Sequence, residues 1–218
     1  MKKYSSKSEK VYKILREEII QRKFPPGERL VERDLIKKFG ISKTPIREAI
    51  IRLKKDGLVE GSLRQSASVI RISRKDVVEI YDLREILEGL AAKYAAEEIT
   101  SEKAEKLRLI IRLSENCLKE NNFKEYSRFD LKFHNSIGII SENKRLYQMM
   151  QSLRYQIRIL MATSITLLGR GMKESLSEHK KIVETIINQN SDLAEKMAKE
   201  HVRKTKEVVL DWFDRAQW

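Results

Sequence analysis

The chain of 218 residues carries 45 Lys and Arg against 32 Asp and Glu, a formal net charge of +13, and 41% of its residues are hydrophobic. This hydrophobic content excludes wholesale disorder, and no apolar run reaches the roughly 18 residues that span a bilayer. A single cysteine, Cys117, excludes an intrachain disulfide. We therefore expect a cytoplasmic protein of two small domains or one large one, with no membrane partner.

The positive charge is concentrated at the N-terminal end of the chain. Residues 1–73 contain 19 Lys and Arg and 9 Asp and Glu, a net charge of +10, whereas residues 74–218 contain 26 and 23, a net charge of +3. Clustered cations release counterions from a nucleic-acid backbone when they bind it. The first third of the chain is therefore the candidate nucleic-acid-binding part.

The first predicted element is an amphipathic helix over residues 8–22, which is followed by the turn-forming tripeptide Pro25-Pro26-Gly27. The next stretch, Glu32–Leu58, predicts two helices joined by a tight turn. Gly40 stands where the first of them must stop, since glycine adopts a left-handed conformation without a Cβ clash. Ser42 is expected to cap the second helix by accepting a hydrogen bond from its backbone.

The second helix of this pair has one apolar and one basic face. The apolar positions, spaced as on one face of a helix, are Ile46, Ala49, Ile50 and Leu53. The polar positions on the opposite face are Lys43, Thr44, Arg47, Arg52 and Lys55. This pattern predicts a helix-turn-helix whose second helix enters the DNA major groove. The alternative is an ordinary solvated helical hairpin with a basic face.

Two short strands, Leu58–Glu60 and Ala67–Ile72, are predicted after the helix-turn-helix, with a hairpin tip between them. Beyond residue 73 the periodicity is helical throughout, and all three prolines lie before residue 46. The predicted fold class is therefore mostly α, with a winged helix-turn-helix domain at 1–73 and an all-α bundle at 74–218. The bundle helices are predicted to begin after Ser73 and to continue at residues 101–120, 123–140, 143–168, 173–189 and 191–214. In the first of these helices we expect Val77, Ile80, Leu83, Leu87, Leu90 and Tyr94 to point inward.

All three histidines of the chain fall in the predicted bundle, on three different helices. His134 follows Asp130 by one helical turn, so both side chains project from the same face. His179 and His201 each occupy an apolar helical row. The three histidines are either ordinary core residues bonded to neighbouring carbonyls, or, together with Asp130, a metal site. The sequence pattern alone leaves both readings open, because it does not show that the helices converge.

The segment ERDLIKKFGISKTPIREAIIRLKKDGLVE, with the preceding FPPGERL and VYKILREEIIQRK, resembles the winged-helix domain of GntR-type bacterial transcription regulators. The resemblance implies contacts with a pseudo-palindromic double-stranded DNA operator by Lys43, Thr44, Arg47 and Arg33. It places the wing tip at Arg64, Gln65 and Ser66, where the glycine of the family's tip is missing. The family commonly has Arg at position 43. Lys43 therefore replaces a guanidinium, which can donate two hydrogen bonds to one guanine, with an ammonium that acts as a point charge.

The segments YDLREILEGLAAKYAAE, FDLKFH, EHKKIVETI and DLAEKMAKEH resemble the FCD ligand-binding domain of the FadR subgroup. The resemblance implies that Asp130, His134, His179 and His201 bind a divalent metal. Three imidazoles and one carboxylate suit Zn, Ni, Co, Mn or Fe(II). It also implies a small carboxylate effector at the metal, and the expected effector-binding residues are Arg84 and, with less support, Arg154 and Arg158. For Arg84 the alternative is a surface arginine bonded to Glu88.

The leading functional hypothesis is a homodimeric transcription regulator, in this family most often a repressor, whose DNA affinity changes when a carboxylate binds at the metal. A second hypothesis is a hydrolase-type metalloenzyme with a DNA-tethering domain, since a metal with open positions can activate water. No second inward Glu or His stands at a fixed spacing to act as its base, and we expect no enzyme activity. A third hypothesis keeps the DNA binding and makes the metal purely structural.

Overall fold

The structure, a computed structural model, describes residues 6–61, 67–165 and 171–215. The chain divides into two compact units. The N-terminal unit comprises Met1–Ser73 together with Tyr155–Ala162, and the C-terminal unit comprises Arg74–Arg154 and Thr163–Trp218. The segment Tyr155–Ala162 was not anticipated in the N-terminal unit, because the apolar periodicity runs through it without a break.

The N-terminal unit is built from three helices and a small antiparallel sheet. Its helices are α1 (Ser6–Ile20), α2 (Glu32–Phe39) and α3 (Lys43–Lys55), and its strands are β1 (Arg29–Leu30), β2 (Val59–Glu60) and β3 (Ala67–Val69). The strand order is β1-β3-β2, with Leu30 opposite Ala67 and Val59 opposite Val69. The hairpin strands are shorter than expected, and β1 was missed because two residues are too few to show an alternation.

The turn between α2 and α3 has the predicted left-handed glycine, since Gly40 lies at φ 63° and ψ 33°. Ser42 occupies the N-cap position of α3 with an extended backbone, but its side chain makes no capping hydrogen bond. The predicted cap is therefore wrong. Because Ser42 is exposed, water can accept hydrogen bonds from the first backbone N–H groups of α3. The wing-tip residues Arg64, Gln65 and Ser66 lie outside the described residues.

A fully buried apolar core joins the three helices and the hairpin of the N-terminal unit. Its most enclosed members are Leu15, Ile46, Leu53 and Leu58, each with 0% exposure. The segment Tyr155–Ala162, part of the helix α7 (Lys144–Ile165), forms hydrogen bonds with α1. The Tyr12 hydroxyl donates to the Tyr155 hydroxyl at 3.2 Å, and Arg158 makes two contacts with Glu17, at 3.0 and 3.3 Å.

The C-terminal unit is helical over its described residues. Its helices are α4 (Arg74–Glu97), α5 (Ser101–Lys119), α6 (Phe123–Ile140), part of α7 (Lys144–Ile165), α8 (Gly171–Ile187) and α9 (Ser191–Arg215). Thr100 and Asn122 cap α5 and α6 by accepting from the backbone N–H three residues on. Gly89 lets α4 and α9 approach, because a Cβ there would lie 2.6 Å from the Lys199 side chain. Among the described helices, none combines the length and apolarity that crossing a bilayer requires.

The core of this unit contains most of the predicted inward residues, with one clear exception. Leu83 is 51% exposed, so its predicted inward orientation is wrong. The helix α4 carries apolar residues on more than one face, and Leu83 and Ile86 lie on the face that stays in solvent. The side of α4 that is turned to the core is buried and includes Tyr81, Arg84, Leu87 and Ala91.

Candidate functional site

Three helices of the C-terminal unit bring the histidines together. His134 lies on α6, His179 on α8 and His201 on α9, and one ring nitrogen from each lies within 4.8 Å of those of the other two. His179 is 1% exposed and His201 3%, while the side chain of His134 keeps 11%. Such a group of imidazole nitrogens can hold a metal ion.

Asp130 adds a carboxylate to the cluster. It precedes His134 by one turn of α6, and its oxygens lie 3.7 Å from Nε2 of His179 and 3.9 Å from Nε2 of His134. Oδ2 of Asp130 is buried and accepts no hydrogen bond from any described residue. A buried carboxylate oxygen without a donor is costly unless a cation neutralises it, so Asp130 fits a metal ligand.

Two further carboxylates hold the histidines from outside the cluster. Glu88 Oε2 lies 2.7 Å from Nδ1 of His134, and Glu178 Oε2 lies 2.8 Å from Nδ1 of His201. A carboxylate at Nδ1 keeps the proton on that nitrogen, so Nε2 is left with its lone pair for a metal. We did not single out either residue for this role from the sequence. The only signals were the position of Glu178 next to His179 and of Glu88 four residues after Arg84.

Burial keeps the imidazoles of His179 and His201 neutral. It lowers the pKa of His179 well below its ordinary value, and the neighbouring His201, His134 and Arg84 lower it further. The pKa of His201 is also lowered by burial, although the hydrogen bond with Glu178 opposes the shift. Neutral imidazole is the form that binds metals. His179 and His201 are therefore in the protonation state that binds a metal at neutral pH.

Arg84 lies beside this cluster and is almost fully buried. Its Nε donates to Glu88 at 2.5 Å, and its Nη2 lies 3.1 Å from Nε2 of His134. The predicted alternative was half right, since the bond with Glu88 exists but the arginine is not on the surface. Burial raises the pKa of Glu88, yet Arg84 and His134 outweigh it and hold that pKa far below its ordinary value. The arginine and glutamate are therefore both charged.

A small cavity adjoins the cluster, with room for about one water molecule. Its polar wall consists of Glu88, His134 and His201, and its apolar wall of Phe133, Ile137, Met150, Ile182 and Ala198. Ligand pockets have a mixed lining of this kind, with a few polar groups on an otherwise apolar wall.

The two remaining candidate effector contacts lie on α7. Arg158 is paired with Glu17 in the N-terminal unit, so its guanidinium is engaged there and not at the histidine cluster. The expectation that it binds an effector stays a prediction. Arg154 is half-buried in the C-terminal unit, and its place as an effector contact stays a prediction.

The predicted DNA-contacting residues of α3 lie on its exposed face. Lys43, Thr44 and Arg47 are all exposed near the start of the helix, while Ile46, Ala49 and Leu53 are buried beneath them. Arg33 of α2 is also exposed, with an 80% exposed side chain and a long contact of 3.7 Å to Asp34. Glu32, also on α2, bonds to both Arg47 and Lys43, and the sequence analysis missed it.

The fold and site together define a class of protein, a winged-helix unit joined to a helical unit that carries a candidate metal site. The family model described as "Bacterial regulatory proteins, gntR family" matches residues 7–69, and the FCD domain matches residues 79–204. The HTH-type transcriptional regulator YdhC of Bacillus subtilis is 33% identical over 193 residues, which is 88% of this chain and 84% of that protein. This chain belongs to the GntR family of bacterial transcription regulators and carries an FCD domain.

Other relatives agree with this assignment. A probable D-xylose utilization operon transcriptional repressor of Paenarthrobacter nicotinovorans is 26% identical over 185 residues, covering 85% of this chain and 80% of that protein. The structure of Escherichia coli McbR/YncC superposes with a TM-score of 0.81 at 18% identity, covering 96% of this chain and 99% of that one, and so supports the fold. These relatives regulate transcription and are not enzymes, and regulators of this family bind operator DNA.

Proposed function

We propose that this protein is a homodimeric transcription repressor whose affinity for operator DNA is set by a small carboxylate bound at a divalent metal. The metal ligands in this proposal are Asp130, His134, His179 and His201. The operator is pseudo-palindromic, and each protomer reads one half-site with Lys43, Thr44, Arg47 and Arg33. The observation that carries the proposal is the convergence of three imidazoles, with the unpartnered carboxylate oxygen of Asp130 beside one of them.

The donor set supports a divalent transition metal. Nitrogen ligands with one carboxylate suit Zn, Ni, Co, Mn and Fe(II). The surroundings of the cluster are apolar, so the charge of the Asp130 carboxylate is costly there unless a cation neutralises it. Two of the imidazoles already have Nδ1 engaged by a glutamate, which is the arrangement that presents Nε2 to a metal. A bound metal would supply a Lewis acid to which a carboxylate oxygen can bind.

The cavity and Arg84 support a small acid as the effector. The cavity shares His134 and His201 with the metal cluster, so a ligand there can reach the ion. Arg84 is a buried cation within 3.1 Å of His134, and a guanidinium of this kind pairs with a carboxylate.

The surface of α4 supports assembly through the C-terminal unit. Leu83 is 51% exposed and Ile86 60%, and the two lie one turn apart. A second copy related by a two-fold axis would cover the same residues on both protomers. Two winged helices at a fixed spacing would then face two half-sites, which gives more affinity than one.

The experiment that tests the proposal uses the full chain and a duplex selected by it from a random-sequence library. Elemental analysis should find one divalent transition metal per chain. A panel of dicarboxylic and hydroxy acids should contain members that raise the melting temperature and change the affinity for the selected duplex. Chelation should remove both effects. No stoichiometric metal and no acid response would overturn the proposed regulation and leave the DNA-binding assignment intact.

A further inference from the structure

Glu32 is the one acidic side chain, among the described residues, that contacts two of the proposed DNA-reading cations. It begins α2, and its carboxylate faces the first turn of α3. Nε of Arg47 donates to Oε1 at 2.7 Å, and Nζ of Lys43 lies 3.4 Å from Oε2. Each oxygen therefore serves one cation, and a single carboxylate bridges both.

The bond between Glu32 and Arg47 fixes which part of the guanidinium faces outward. It uses Nε, so the two Nη groups remain available, and these are the groups that can address N7 and O6 of guanine together. The side chain of Glu32 is 20% exposed, compared with 45% for Arg47 and 56% for Lys43. The carboxylate thus lies behind the cations, on the side away from solvent.

The charge of Glu32 acts on phosphate as well. Burial raises the pKa of Glu32, but the hydrogen bonds and charges of Arg47 and Lys43 outweigh it and lower the pKa below its ordinary value. The group is therefore ionised at neutral pH and cancels part of the attraction of both cations to a nucleic-acid backbone. Backbone attraction is the same on every sequence, so its reduction weakens nonspecific binding most.

We propose that Glu32 is a specificity-determining positioning residue, which orients Arg47 for a base edge and restrains the phosphate affinity of Arg47 and Lys43. The proposal rests on the proposed DNA contacts of α3. Glu32 itself contacts no base in this arrangement and acts through the two cations.

Two substitutions at Glu32 separate its two roles. Glu32→Gln keeps an oxygen that accepts from Nε of Arg47 but removes the charge, so binding to a random duplex pool should strengthen several-fold and its salt slope should steepen by about 0.9. Glu32→Ala also removes the acceptor, so discrimination at the base pair read by Arg47 should fall about tenfold. Discrimination is measured as the affinity ratio between the selected duplex and its single-base-pair variants.

The matched control is Asp34→Asn. Asp34 lies in the same first turn of α2 and carries the same charge, but its ion pair is with Arg33. This variant should leave discrimination at the base pair read by Arg47 unchanged, while any gain on random duplexes measures the effect of removing one negative charge from α2. A purely structural role of Glu32 would weaken binding to every duplex by one factor and lower the melting temperature, and this result would overturn the proposal.

The double variant with Arg47→Ala distinguishes a failure of this inference from a failure of the proposed DNA contact. If Arg47 reads a base, Arg47→Ala lowers discrimination at one base pair, and adding Glu32→Ala lowers it no further. If Arg47→Ala lowers discrimination and Glu32→Ala does not, the positioning role is overturned while the contact survives. If Arg47→Ala weakens all duplexes equally, the contact itself is wrong.

Discussion

At the scale of single residues, Glu178 orients His201 through Nδ1 and at the same time pairs with Lys204 at 2.8 Å. Glu178→Gln should weaken metal binding by about 10- to 100-fold, because an outer carboxylate fixes the ring and raises its basicity. Lys204→Gln is the matched control, since it breaks the surface pair and leaves His201 untouched. Competition with a chromogenic chelator measures both. Equal metal affinities in the two variants would contradict the orienting role.

His179 and His201 give the metal-free protein a defined pH dependence. Their pKa values are lowered in the folded chain, whereas unfolding returns them to about 6.5. The unfolded chain therefore binds more protons below that pH, so the stabilisation is complete above about 6.5 and is lost as the pH falls further. Between pH 6.5 and 5.5 the unfolding free energy should fall in both proteins. The fall should be smaller in His179→Gln than in the wild type, and the difference between the two should be about 1 kcal/mol.

Urea unfolding of the two apoproteins, measured at half-unit steps from pH 5 to 8, checks this difference. Carboxylates elsewhere titrate equally in both proteins, so the comparison isolates the imidazole. Parallel curves would show that His179 already titrates normally in the folded chain.

At the scale of secondary-structure elements, the turn between α2 and α3 depends on a left-handed backbone at Gly40. A Cβ at this position would meet no atom within 4 Å, so a substitution is opposed by backbone conformation alone. Gly40→Ala should lower the unfolding free energy by about 1 kcal/mol. Gly40→Asn should lower it less, because asparagine tolerates this conformation. Equal losses in thermal or urea unfolding would mean that the strain lies elsewhere.

The helices were predicted well where apolar periodicity marked their length and capping or turn residues marked their ends. The helices α5, α6 and α9 begin and end within two residues of their predicted bounds, because caps and turns interrupt the apolar rows. Leu83 was misplaced because periodicity cannot say which of two apolar faces is covered. The histidine cluster was expected only through a resemblance, since spacing along one helix says nothing about other helices. Glu88 and Glu178 were missed for the same reason.

At the scale of the whole molecule, the exposed face of α4 makes assembly testable. Ile86→Asp should weaken the dimer, because a charge would be buried at the two-fold contact. Leu109→Asp on α5 is a control of similar exposure, 46% against 60%, and should leave the dimer intact. Analytical ultracentrifugation at micromolar concentration measures both. If Leu109→Asp alone dissociates the dimer, the interface lies on α5. If the wild type is a monomer, the proposed dimer is wrong.

Metal, acid and DNA should be linked through the C-terminal unit. The four proposed ligands come from three helices, so a bound ion would clip α6, α8 and α9 together and raise the melting temperature. His179→Ala should release most of the metal and lower that temperature. An acid that stabilises the wild-type holoprotein should have little effect on this variant, because the ion that would receive its carboxylate is gone.

The same acid should change the affinity of the wild type for the selected duplex, and should change it much less for His179→Ala. The reason is that a ligand changes the DNA affinity of the protein only if it binds the DNA-bound and the DNA-free protein with different affinities. Arg84→Lys sharpens the test, since it keeps the positive charge but loses the planar fork that grips a carboxylate. Metal content should stay near the wild-type value in Arg84→Lys while the acid response falls. If alanine at His134, His179 and His201 leaves both the melting temperature and the acid response unchanged, the histidines are core residues, and the acid acts without a metal.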